Sequence, residues 1–121
     1  MDKILLKQKI GKWNDACRFL KGHQADLSTA EWSAVELLAD FWRMRKFDDE
    51  LVEESKELIA TLVAADKLHS NNRDIITWSK EFRGIAKTMY TESAANFAEF
   101  QAAMRAFAQE HAPRQRAPQP Q

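Results

Sequence analysis

Apolar side chains recur every three to four positions along most of the chain, the spacing of amphipathic α-helices, and breaks in that pattern divide it into five segments. The first covers about residues 3–21, with Leu5, Leu6, Ile10, Trp13, Ala16, Cys17 and Leu20 on one side and Gly22 as a stop signal. Lys9 falls inside that arc, so its aliphatic stem is expected to run along the edge of the core. The second segment opens on Ser28-Thr29-Ala30-Glu31, a capping box in which the serine oxygen and the glutamate carboxylate satisfy each other's backbone donors, with Leu27 and Trp32 placed as a hydrophobic staple. It runs to about Lys46 and is apolar around most of its circumference, which predicts a central helix. The third covers about residues 48–68, with acidic side chains crowding its first turns, where they favour the helix dipole. Ser70-Asn71-Asn72 form a turn and cap for the fourth, which reaches about Tyr90. The fifth, about 93–111, carries a narrow Phe97, Phe100, Met104, Phe107 stripe flanked by alanines.

The fourth segment carries the sharpest division. At about 100° per residue, Ile75, Trp78, Phe82, Ile85 and Met89 share one side, while Arg73, Lys80, Arg83 and Lys87 lie within a sector of about 80° on the other. No acidic residue interrupts that sector. Asn72 and Tyr90 lie near its edge, in reach of a phosphate hydrogen bond or a stacked base. A second basic set, Lys3, Lys7, Arg18 and Lys21, falls within about 60° on the first segment. If the first and fourth helices are neighbours, the two sets are expected to join into one basic surface, with Arg114 and Arg116 adding diffuse contacts.

Composition sharpens this picture. All three prolines (113, 118 and 120) lie beyond residue 112, which predicts one all-α domain, a compact bundle of about five helices over 1–112, followed by a disordered tail over 113–121. The formal net charge is zero but zoned: residues 1–22 carry six basic and two acidic side chains, residues 47–69 two basic and seven acidic, and residues 70–91 four basic and two acidic. The acidic third helix is therefore a potential internal partner for the basic stripe. Four Trp and seven Phe either fill the core or leave an apolar patch for another subunit. Cys17 is the only cysteine, which fits a reducing compartment, and the Ile4-Leu5-Leu6 run is too short and too charged for a signal peptide or a membrane span. The expectation is a cytoplasmic protein with no membrane partner.

Catalytic chemistry finds little footing. His23, His69 and His111 are scattered, and Cys17 has no companion, so no metal set is expected. The pairs Asp49/Glu53 and Glu53/Glu57 read as a solvated face rather than acids held in an apolar pocket. Gly11, Gly22 and Gly84 are isolated and form no phosphate loop. The chain is read as no enzyme, with no cofactor and no small-molecule substrate. A helix-turn-helix across the third and fourth segments would set the acidic third helix against the DNA backbone.

In size, helix count and charge zoning the chain resembles the small helical subunits of CRISPR effector complexes, which line a nucleic-acid path with basic helices and pack on a repeated backbone. The likeness lies in build and in no motif, and implies no residue-level role. The expected function is a non-catalytic subunit of a larger nucleoprotein assembly, whose partners are other protein subunits and a DNA or RNA backbone. The alternative is a protein-only adaptor, chaperone or inhibitor that binds through acidic or aromatic helix faces. The discriminating feature is whether Glu50, Glu53 and Glu57 point at the basic stripe or away from it.

Overall fold

The computed structural model describes residues 2–111. They form α1 (Lys3–Gly22), a short 3-10 turn (Gln24–Asp26), α2 (Thr29–Met44), α3 (Asp49–Ala65), α4 (Arg73–Tyr90) and α5 (Ala94–Glu110), with no strand among the described residues. The all-α reading holds. The expected tail over 113–121 lies outside the described residues.

Each helix starts on a side chain that accepts from an otherwise orphaned backbone N–H: Asp2 from Ile4, Ser28 from Glu31, Asp48 from Leu51, Asn72 from Ile75 and Ser93 from Asn96. The capping box is complete, with Ser28 N–H donating to Glu31 Oε1 at 3.2 Å and Glu31 N–H donating to Ser28 Oγ at 3.1 Å. α3 ends three residues before the expected Leu68. Beyond Ala65 the backbone passes through successive turns, because the side chains of Asp66 and His69 are drawn inward to other helices.

The core is built around Trp13, which is 1% exposed. Its ring stacks on Phe82 of α4 at 4.3 Å between centroids and meets Tyr90 and Phe100 edge-on at 5.9 and 5.6 Å. α2 adds Ala34, Val35, Leu38 and Phe41, and α3 adds Leu51 and Leu62. The hub is α4, not α2. α4 packs on α1, α3 and α5 and buries seven residues, among them the small Ser79 and Ala86, which let its neighbours approach closely. α2 leaves Leu37 and Met44 45% and 71% exposed and its Trp32 and Trp42 only half-buried. Its wide apolar girth therefore serves a flank of the bundle.

Among the described residues no Phe, Tyr or Trp is exposed, and the large apolar side chains in solvent are Ile4, Leu5, Leu37, Met44, Val63 and Leu68. The aromatic surplus is divided between the core and a half-buried shell packed against it, in which Phe19, Trp32, Trp42, Phe47, Trp78 and Phe107 lie. Lys9 is half-buried at the core edge, as its place in the apolar arc of α1 predicted.

Candidate basic surfaces

Arg73, Lys80 and Lys87 are spaced seven residues apart on α4, so they stand in a nearly straight row at intervals of roughly 10 Å. All three are exposed, and none has an ion-pair partner among the described residues. Arg83 does not belong to that row. Its guanidinium donates to both carboxylate oxygens of Asp66 (Nη2–Oδ2 2.6 Å, Nη1–Oδ1 3.0 Å) and to Ser79 Oγ at 3.0 Å. The Arg83 side chain is only 11% exposed. A guanidinium held on three oxygens acts as a tie between α4 and the turn after α3, and is not open to a phosphate.

Two further residues near the stripe are also committed elsewhere. Tyr90 is fully buried among Trp13, Phe41, Phe97 and Phe100, so its ring cannot stack on a base. Asn72 uses its side-chain oxygen as the cap of α4.

The acidic face of α3 does not cover the row. Glu50, Glu53 and Glu57 are exposed, and among the described residues no ion pair joins them to α4. Glu53 pairs with Lys56 at 3.8 Å within its own helix. Glu54 turns to Arg45 at 2.7 Å, and that hydrogen bond raises the guanidinium and holds the Glu54 carboxyl below its ordinary value. Among the described residues, the carboxylate that crosses from the end of α3 to α4 is Asp66.

α1 and α4 are antiparallel neighbours, with Trp13 on Phe82 and Phe19 on Trp78, yet Lys3 and Lys7 do not join the α4 row. The seam between them is bridged by Lys12 and Glu81 at 3.7 Å. Lys3 and Lys7 sit on the other flank of α1, where with Leu6, Ile10 and Phe107 they line an apolar groove of about 860 Å³ against α5. Arg18 is exposed and pairs with Asp15 at 3.5 Å, and Lys21 is exposed at the end of the helix.

A third basic region escaped the sequence reading. The loop after α2 and one side of α5 border an open cavity of about 450 Å³ lined by Arg43, Arg45, Lys46 and Arg105 together with Phe47, Phe97 and Gln101. Its only linear signal is the Arg43-Met44-Arg45-Lys46 run, whose partner on α5 is remote in sequence.

Also unforeseen is the contact of His69 Nε2 with Glu31 Oε1 at 2.8 Å, with both side chains buried. The Glu31 carboxylate thus caps α2 and anchors the turn after α3 at once. Burial pushes the Cys17 thiol up to about 12, so it is a packed thiol and a poor nucleophile at neutral pH. Among the described residues no three His, Cys, Asp or Glu side chains are grouped to hold a metal ion, and no helix is long and apolar enough to cross a membrane. Compared with protein families, curated proteins and solved structures, the chain matches none of them significantly.

Proposed function

We propose that the chain is a non-catalytic subunit of a nucleoprotein assembly that contacts a nucleic-acid backbone along α4. The observation that carries this reading is the row of Arg73, Lys80 and Lys87, exposed and unpaired among the described residues, on the helix with the most buried residues. A row fixed to a packed helix has a preorganised backbone, so little backbone order is lost when phosphates bind. Contacts of this kind position a strand without reading its sequence. The remaining surface offers aliphatic side chains to other protein subunits. A reducing compartment such as the cytoplasm suits the single thiol of Cys17.

The test is the double charge reversal Arg73→Glu with Lys80→Glu. Both positions are exposed, so helix content by circular dichroism is expected to stay at the wild-type level while oligonucleotide binding is lost. Unaltered binding by that variant overturns the reading.

A second reading, a protein-only adaptor, is favoured by the groove between α1 and α5. Its walls are apolar, its rim carries Lys3 and Lys7 on one side and Glu110 on the other, and Ile4 nearby is 69% exposed. An amphipathic partner helix with acidic residues along one edge and basic residues along the other fits that charge pattern. In this reading Ala103→Glu removes partner binding, and the α4 variant does not.

A further inference from the structure

The cavity beside the α2–α3 loop is lined by charge of one sign. Its lining holds four cationic side chains and no carboxylate. Two of the four already have acidic neighbours outside the lining: Arg45 is spent on Glu54 at 2.7 Å, and Arg43 stands 3.6 Å from Asp40. Lys46 and Arg105 have no ion-pair partner among the described residues, and both are exposed. Like charges gathered around one concavity repel each other, and an anion seated between them relieves that repulsion.

The cavity is also built, not merely left between side chains. Gln101 Nε2 donates to the backbone oxygens of Trp42 (2.6 Å) and Arg45 (3.3 Å), which ties the end of α2 and the start of the loop to α5. The next residue but one, Phe47, is held with its ring 6.0 Å from that of Phe97, giving the cavity an aromatic wall. A volume of about 450 Å³ lies in the range that small-molecule sites occupy. Cations and a half-buried ring lining the same cavity match a ligand with an anionic group and a planar apolar group.

We infer that this cavity binds a nucleotide phosphate monoester, with the phosphate between Lys46 and Arg105, assisted by Arg43, and the base against Phe47. The ligand is either a free nucleotide or the phosphorylated terminal nucleotide of a strand. The inference does not depend on the α4 row, because none of its residues belongs to that row.

The test is calorimetric titration of the full chain at low salt with adenosine 5′-monophosphate, with adenosine as control. The monophosphate is expected to bind and adenosine to bind at least about tenfold more weakly, since charge-assisted hydrogen bonds to the phosphate carry the affinity. Lys46→Gln with Arg105→Gln is expected to weaken monophosphate binding by about tenfold or more with an unchanged circular dichroism spectrum, whereas Arg73→Glu with Lys80→Glu leaves it unchanged. A 5′-phosphorylated oligonucleotide that outcompetes its 5′-hydroxyl counterpart for the cavity assigns it to strand ends; equal competition, with the monophosphate bound, assigns it to free nucleotides. No heat with the monophosphate, equal affinity for adenosine, or full affinity in the Lys46/Arg105 variant overturns the inference. Oligonucleotide binding through α4 is scored separately, so failure of one reading leaves the other standing or falling on its own data.

Discussion

Arg83 of α4 grips Asp66, the residue that ends α3, through two parallel contacts of 2.6 and 3.0 Å, and the same guanidinium reaches Ser79 one turn earlier. The pair closes the turn region between the two helices and leaves Arg73, Lys80 and Lys87 as the solvent-facing remainder of the stripe. A side chain of the same charge and on the same helix face thus has a structural duty where its neighbours have none.

That division predicts opposite phenotypes for adjacent cations. Arg83→Ala is expected to lower stability by about 1–3 kcal/mol, because it leaves Asp66 and Ser79 without their charged donor in a partly buried site. Lys80→Ala is expected to change stability by less than about 0.5 kcal/mol. Urea unfolding of the two variants checks this, and the ranking reverses if Lys80 is the structural residue.

Trp13→Ala removes the ring on which α1, α4 and α5 converge and is expected to cost about 3–5 kcal/mol. That is a large share of the roughly 5–15 kcal/mol typical of a domain. Denaturant titration should show a midpoint shifted far below wild type, or a chain that no longer unfolds cooperatively.

Glu31 has two jobs, so its variants should separate. Glu31→Gln keeps an acceptor for Ser28 N–H and is expected to be the milder change. Glu31→Ala loses the cap and strands the buried His69 ring, at a cost of roughly 1–3 kcal/mol. Amide exchange should then quicken at both the start of α2 and the turn after α3. Quickening at α2 alone contradicts the link through His69.

Two weak acids packed in or against the core set the alkaline limit. Burial raises the Cys17 thiol from 9.0 to about 12, and burial likewise holds the Tyr90 hydroxyl well above 10.0. The folded state therefore keeps protons that the unfolded chain releases. Their contribution to stability is complete below about pH 9 and falls as pH rises through the thiol range toward 12. Urea midpoints measured from pH 7 to pH 11 should decline above about pH 9, and Cys17→Ala should flatten the first part of that decline. A flat wild-type profile contradicts the assignment.

Much of the fold was legible because local chemistry decided it. Ser28 and Glu31 fixed the start of α2, and Phe97, Phe100 and Met104 all proved buried along α5. Periodicity names a helix face but not the neighbour that meets it. For that reason the hub shifted from α2 to α4, and Lys3 and Lys7 came to rest beside α5 instead of joining the α4 row. The fate of Arg83 depended on Asp66, and the cationic cavity on bringing Lys46 to Arg105. Neither relation leaves a mark in local spacing.

The measurement that tests the central claim most directly is the salt dependence of binding to fluorescent single-stranded and duplex oligonucleotides. Three phosphate contacts predict a slope of log K against log salt of about −2 for single strands and about −2.7 for duplex, or roughly a 15- to 40-fold loss between about 50 and 200 mM salt. Lys80→Ala should make the slope shallower by about one contact. Binding that ignores salt, or a Lys80→Ala slope equal to wild type, would contradict a phosphate-contacting row on α4.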